Sequence, residues 1–421
     1  MRFPVLFLLS VLAAAGADDN TFLLRGATVH PVTSPAIPDA SLLVRGGRIA
    51  EIGVKIAVSR GLRVIDVKGL HVYPGLIDSA SSLGLTEISS VRETVDISDI
   101  GDFNPQLRAL IAVNPASEHI PVTRANGITA AVTMPGGGII SGQAALIHLD
   151  GWTWQEMQLM APVSLLLQFP AVQTGSDGTA PRSRRIPYPE ARKNYEKRLR
   201  DLKEFLEQSR RYQKAKAAGG AGFEPDLKFE AMLPVLERKL PVVIRAARER
   251  ALRAAIQFGA EEKLKIVIAG AAEAWKVAAE LKAAKIPLIL GPTLSLPLEE
   301  DDPYDRTFTM PAELHKAGVT FAFGSFSAGF ARNLPYQAAA AVAFGLPYEE
   351  GLKALTINAA RIWGVGDRIG SIETGKLADL IVTDGDPLET RTQVRHMFIN
   401  GRPVELGNKH KRLYEQYLAR P

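Results

Sequence analysis

Tyr73-Pro74-Gly75-Leu76-Ile77-Asp78-Ser79-Ala80-Ser81-Ser82-Leu83-Gly84 is the stretch on which the fold turns. Gly75-Leu76-Ile77 reads as a short apolar strand, and small polar residues follow it. Residues two apart on a strand point the same way, so Ala80 and Ser82 share one face. Runs of the same kind recur downstream: Gly127-Ile128-Thr129-Ala130-Ala131-Val132, Val163-Ser164-Leu165-Leu166-Leu167, Val242-Val243-Ile244, Ile266-Val267-Ile268, Leu288-Ile289-Leu290 and Thr320-Phe321-Ala322-Phe323. With the first, these make seven; an eighth has no clear place. Near-continuous apolar runs fit strands covered on both faces of a parallel sheet. Helix-like segments lie between them, among them Ala247 to Phe258 and Ala272 to Ala284. The alternation predicts an α/β fold with a closed barrel.

The two ends of the chain read differently. Thr21-Phe22-Leu23-Leu24, Ala40-Ser41-Leu42-Leu43-Val44 and Val64-Ile65-Asp66-Val67 are strand-like, with Arg45-Gly46-Gly47-Arg48-Ile49 as a turn. Gly370 to Val382 and Val394 to Val404 are strand and turn material again. One small β-sandwich domain built from both termini, residues 18–72 and 366–421, with a barrel over 73–365 inserted in it, is the economical arrangement. Residues 1–17 read as a signal peptide: Arg2, an apolar stretch from Phe3 to Ala15, and the small-residue pattern Ala15-Gly16-Ala17. The expected mature protein is exported, periplasmic or secreted, and without a membrane span after cleavage.

Of 421 residues, 46% are apolar and 23% charged, and none is cysteine. There is thus no thiol nucleophile, disulfide or iron–sulfur ligand. The net charge of +5 owes much to residues 182–216. Glu190 to Ala217 reads as one long helix with Tyr195, Leu199, Leu202, Phe205 and Leu206 at helical spacing. It either packs on the barrel or receives a partner, and Gly219-Gly220-Ala221-Gly222 ends it. No nucleic-acid recognition motif accompanies the basic excess.

Five stretches together resemble the amidohydrolase superfamily, in particular imidazolonepropionase-like amidohydrolases. They are Pro74-Gly75-Leu76-Ile77-Asp78; Pro121-Val122-Thr123-Arg124-Ala125-Asn126-Gly127-Ile128-Thr129; Gly324-Ser325-Phe326-Ser327; Ala354 to Val365; and Gly370 to Val382 with Asp384-Gly385-Asp386-Pro387. The resemblance implies a (β/α)8 TIM-type barrel with a β domain from both termini. It also implies metal-assisted hydrolysis of non-peptide C–N bonds, in which a cation lowers the pKa of bound water and polarises the carbonyl.

That resemblance places the metal ligands on a first-strand His-x-His pair, on imidazoles of the fifth and sixth strands and on an Asp of the last. Here those positions hold Ala80, Ser82, Arg245, Ala272 and Phe326. Alanine, serine and phenylalanine are not usual ligands for zinc-type ions, and a guanidinium has no lone pair to give. The fourth-strand position does not align securely; Gln168 is the nearest candidate. Of the seven histidines only His119 falls near a loop of the barrel mouth. No metal, no cofactor and no catalytic residue is therefore expected.

In their place the candidate ligand-binding residues are Arg245, Gln143, Ser141, Gly137, Ser325 and Glu273. Arg245 either takes a carboxylate bidentately or pairs with Glu273. The loop Met134-Pro135-Gly136-Gly137-Gly138-Ile139-Ile140-Ser141-Gly142-Gln143 either offers backbone amides to a ligand or is a tight turn into the next strand. Three functional readings stay open: a non-catalytic binding or partner subunit, a hydrolase of amides or cyclic amides with a metal-free or rearranged site, and a purely structural barrel. The partners expected are a small-molecule carboxylate and a second subunit, in a homo- or hetero-oligomer with a related amidohydrolase.

Overall fold

The computed structural model describes residues 20–175, 185–219 and 222–420. The expected leader and its cleavage pattern, Gly220 and Ala221 lie outside the described residues.

The chain starts with β1 (Phe22–Val29), β2 (Ile37–Arg45), β3 (Arg48–Gly53), β4 (Arg63–Asp66) and β5 (His71–Pro74). The barrel strands follow: β6 (Leu76–Ser81), β7 (Ile128–Thr133), β8 (Ile140–His148), β9 (Gln158–Gln168), β10 (Val242–Ala246), β11 (Ile266–Gly270), β12 (Leu288–Leu290) and β13 (Phe321–Phe323). The chain then returns through β14 (Leu380–Thr383), β15 (Val394–Ile399) and β16 (Arg402–Val404).

Both ends build one sheet, ordered β16-β15-β14-β5-β1-β2-β3, with β4 beside β1. The β2–β3 hairpin turns on Gly46 and Gly47, whose φ values of +54° and +76° suit a two-residue turn. β14 runs antiparallel to β5, with Leu380 opposite Pro74. The sheet curls enough for Phe22 on β1 to stack on Phe398 on β15 at 4.4 Å between ring centroids. Phe22, Leu24, Leu42, Val44, Val72 and Leu380 fill the core between its faces.

Only Gly75 separates β5 from β6, so the chain steps directly from this sheet into the barrel. The step is fastened below the barrel: the Gly75 N–H donates to the Asp379 carbonyl at 2.8 Å. The Asp379 carboxylate accepts the Asn400 N–H and bonds His148 Nε2 at the end of β8.

The barrel sheet runs β6 to β13 in chain order. The eighth strand missing from the sequence reading is β8, antiparallel to both β7 and β9. Only Met134 to Ile139 connect β7 to β8, which leaves no room for a crossover helix, and a short connection reverses the strand direction. Counting β8 as the third strand makes β9 the fourth, β10 the fifth and β11 the sixth. Inward residues such as Ile77, Val132, Leu146, Leu166, Val243, Val267, Ile289 and Ala322 pack the lumen. Outward ones such as Leu76, Ile128, Leu165, Val242, Ile244, Ile268 and Phe323 pack against the surrounding helices. Each such Leu, Ile or Val contributes roughly 1.5–3 kcal/mol by burial.

The helix between β10 and β11 spans Glu249–Glu261, two residues later than expected at its start. The one after β11 begins as a 3-10 turn, Ala274–Val277, and continues as Ala278–Ala284. The long helix spans Tyr188–Ala218 and buries Leu202, Phe205 and Leu206. Phe205 stacks on Phe103 of the β6–β7 loop at 4.7 Å, so this helix packs on the barrel.

Candidate functional site at the barrel mouth

β6 and β13 meet at the barrel seam without ladder pairing. Asp78 supplies bonds there instead. Its Oδ1 accepts the Ser325 N–H at 2.9 Å and the Ala80 N–H at 3.2 Å, and its Oδ2 accepts the Ser325 hydroxyl at 2.5 Å. The Phe326 N–H donates to the Ala80 carbonyl at 2.7 Å. Asp78 is 0% exposed. Burial pushes its carboxyl up to about 7, against the opposing pull of the Ser325 and Ala80 bonds. Sequence reading passed over Asp78 because the motif marked it as scaffold rather than ligand.

Above the seam the vacated positions come together in part. Ala80 faces the lumen. It leaves little space: a Cβ on Gly324 would lie 2.8 Å from the Ala80 Cβ. Phe326 sits at φ +53°, a left-handed conformation uncommon for a bulky residue. Its ring caps the lumen cluster, and the Arg245 guanidinium lies over that ring at 5.4 Å from the centroid. Ser82 and Ala272 are half-buried on the loops that leave β6 and β11.

Arg245 alternates with the inward Val243, so it points into the lumen from the end of β10. It is exposed to solvent, yet surrounding protein lowers its pKa by desolvation. It stands at the C-terminal end of β10, where the strand leaves the barrel. Among the described residues it has no hydrogen bond and no ion pair. The expected alternative of pairing with Glu273 is not realised. Glu273 accepts the Glu249 N–H at 2.6 Å and pairs with Lys276 at 2.8 Å.

The other candidates fall elsewhere. Gln143 lies opposite Leu165, on the outer face of the barrel, and donates to the Pro105 carbonyl at 3.0 Å. The Ser141 hydroxyl is spent on the Gly137 carbonyl at 2.7 Å. Gly137 packs against Ser98, where a Cβ would approach to 2.8 Å, and the Gly136 N–H donates to Ile97. The glycine loop is thus a tight connection covered by the β6–β7 loop. Gln143, Ser141 and Gly137 do not join Arg245 in one site. Ser325 is committed to Asp78, and the His119 ring bonds the Glu87 carbonyl at 2.8 Å.

Gln168 does join Arg245. It is the register partner of Arg245 across β9 and β10, and it alternates with the inward Leu166. Its carboxamide has no hydrogen-bond partner among the described residues. The signal was present in the sequence, but without β8 the strand count left the fourth position unanchored.

The fold family implies a metal at this end of the barrel. The side chains do not fit one. The positions offer one serine hydroxyl, a guanidinium, a phenyl ring and methyl groups. Both oxygens of the nearby Asp78 carboxylate are bonded within the seam. Among the described residues no group of three His, Cys, Asp or Glu is placed to hold a cation. No hydrolytic step is derived through a metal here.

A separate cleft of about 350 Å³ lies where the β domain meets the helix Tyr348–Leu355, lined by His30, Thr33, Glu349 and Lys353 among others. His30 Nε2 bonds His71 Nδ1 at 3.0 Å and its ring stacks on Tyr73. Burial and the neighbouring His71 lower His30 to about 4. This cluster is a packed junction, away from the barrel mouth.

An eight-stranded barrel with a mouth at its strand ends and a β sheet from both termini defines a scaffold of the hydrolase type. The chain belongs to the Amidohydrolase family, whose model matches residues 127–404. An amidohydrolase structure from Thermotoga maritima shares 28% identity and a TM-score of 0.76, covering 91% of this chain and 99% of that one. A Xaa-Pro dipeptidase structure with bound methionine in its active site, at 16% identity, TM-score 0.55 and coverage of 91% and 100%, shares the fold. The amidohydrolase tasK of Hapsidospora irregularis is 24% identical over 417 residues, which is 90% of this chain and 42% of that protein. The chain therefore spans about two-fifths of that curated relative's length. No helix among the described residues is long and apolar enough to cross a membrane.

Proposed function

We propose that this chain is a binding or partner subunit of amidohydrolase fold that does not carry out metal-assisted hydrolysis. The observation that supports it is Arg245: a cation with no ion pair among the described residues, aimed into the lumen, where a ligand imidazole would stand. A positive charge there repels a metal ion, and Phe326 fills the space of the last-strand carboxylate. The alternative, hydrolysis of amides or cyclic amides at a rearranged, metal-free site, needs a group that can reach substrate. Asp78 and Ser325 are the candidates, and both are buried and bonded to each other.

A partner fits the same end of the molecule. Ile100, Leu296 and Phe330 are each exposed, on the loops that follow β6, β12 and β13, and these loops leave the same end of the barrel. The homo- or hetero-oligomer with a related amidohydrolase would form there. The leader-like residues 1–17 support export to a periplasmic or secreted location.

Elemental analysis of protein purified without chelators, together with assays on dipeptides, N-acyl amino acids and cyclic amides, tests the reading. The expected result is no stoichiometric divalent metal and no turnover. One equivalent of zinc, manganese or iron per chain, with hydrolysis that a chelator abolishes, would overturn it.

A further inference from the structure

Along the barrel mouth, the inward position near the end of each strand follows from the alternation that packs the lumen. On β6 it is Ala80, after β7 Met134, on β8 Gly142, on β9 Gln168, on β10 Arg245 and on β11 Ala269. After β12 and β13 it is Gly291 and Gly324, with the Phe326 ring beyond them. The set contains one cation, one carboxamide, one thioether and one ring, and otherwise only alanine and glycine. It contains no ionisable acid.

We propose that this mouth binds a small planar monocarboxylate, an aryl or similarly unsaturated acid, with its carboxylate on Arg245. The proposal rests on the non-hydrolytic reading above and gives that site its ligand class. Three features select the class. The Arg245 guanidinium, at the end of β10 and beside the Phe326 ring, has no ion pair among the described residues, so a carboxylate meets an open fork of donors. The Gln168 carboxamide stands on the adjacent strand at the same level, about 4.8 Å away along the sheet, and its free N–H donates to the second carboxylate oxygen or its neighbour. The Phe326 ring, partly buried over the lumen cluster, offers a flat apolar surface for the body of the ligand.

The same inventory excludes free amino acids. An ammonium group would need a carboxylate or a cluster of carbonyls to replace its water. The inward side chains supply no carboxylate, and the added positive charge would face Arg245. A blocked or deaminated acid fits where a zwitterion does not. Inorganic phosphate would find the cation but leave the apolar wall unused.

Isothermal titration of the full chain with benzoate, benzamide, L-phenylalanine and inorganic phosphate tests this, with Arg245→Ala, Arg245→Lys and Gln168→Ala beside the parent. The expected result is saturable benzoate binding, at least about ten-fold weaker for benzamide, since a charge-assisted bond is lost. Phenylalanine and phosphate are expected to bind more weakly than benzoate. Arg245→Lys, which keeps the charge but loses the fork, and Gln168→Ala should each weaken benzoate. Arg245→Ala should abolish its binding while circular dichroism shows the fold retained. If Arg245→Ala does not fold, the Lys and Gln168 variants decide. Benzoate binding that is absent, equal to benzamide, matched by phenylalanine or phosphate, or unchanged in the Lys and Gln168 variants overturns the proposal. A stoichiometric metal in the same preparation instead overturns the non-hydrolytic reading, so the two failures are distinguishable.

Discussion

Replacing Asp78 by asparagine should make the protein more stable, by an amount that grows from about pH 4 to neutral pH, and leave it nearly unchanged in stronger acid. The Asp78 carboxyl has an ordinary value of 3.8 and stands at about 7 in the folded chain, chiefly because it is buried. Between those two values the unfolded chain has released the proton and the folded chain still holds it. The folded state then binds more protons, so stability falls as pH rises through the window. Each pH unit in it costs about 1.4 kcal/mol. The whole window is therefore worth about 4 kcal/mol, and the part between pH 5 and pH 7 about 2 kcal/mol, because the slope fades near the folded value.

Asparagine removes the titration while keeping the contacts. Its oxygen can accept the Ser325 and Ala80 N–H groups, and its amide can donate to the Ser325 hydroxyl, which turns to the Ser327 carbonyl at 3.0 Å. Urea unfolding of parent and Asp78→Asn from pH 5 to pH 8 is the assay. Every other titrating group cancels in the difference between them. The gap should open by about 2 kcal/mol in favour of the variant as pH rises from 5 to 7. Parallel pH profiles would refute the reasoning, because they would mean that Asp78 is ionised in the folded barrel throughout. A variant less stable at every pH would show that the hydroxyl cannot reverse its bond.

Ala80→His with Ser82→His should not create an ordinary zinc site, because Arg245 repels the ion and Gly324 crowds position 80; zinc titration should show weak or no binding, and the melting temperature should fall, as overpacking costs about 1–3 kcal/mol. A tight stoichiometric site in that variant would place the fifth-strand position elsewhere. His148→Ala should cost about 3 kcal/mol in urea unfolding, since it strips the 2.8 Å partner from the buried Asp379 carboxylate; a loss under about 0.5 kcal/mol would mean the Asn400 bond alone satisfies it. Expression of the full chain should, on the export proposal, yield a protein beginning near Asp18 by N-terminal sequencing; an intact Met1 in the soluble fraction would remove that proposal.

The barrel and its seven parallel strands were legible because buried parallel strands leave uninterrupted apolar runs, as in Val242-Val243-Ile244. β8 was hidden for the opposite reason. Its run contains Ser141, Gly142 and Gln143, and only the one-turn helix Trp154–Met157 separates it from β9, too short to give the helical pattern that marks the other strands. The site suffered from the same gap. Arg245 and Phe326 could be placed from the motifs around them. Which residues share a face with Arg245 depends on strand register, and that no single segment encodes. Gln143 and Gln168 are both glutamines near the end of a strand. Register alone sends the first outward to Pro105 and the second inward beside Arg245.

The substitutions at the mouth are coupled rather than independent. Phe326 reaches the lumen through a left-handed backbone whose N–H is held by the Ala80 carbonyl. Its ring then lies beneath the Arg245 guanidinium. Restoring a histidine at position 80 meets Gly324. Restoring an acid at position 326 would give Arg245 the partner it lacks, so the acid would be drawn into an ion pair before it could serve a metal. Removing Arg245 alone leaves a phenyl ring over an apolar lumen. Each single change therefore leaves the donor set short of a metal site.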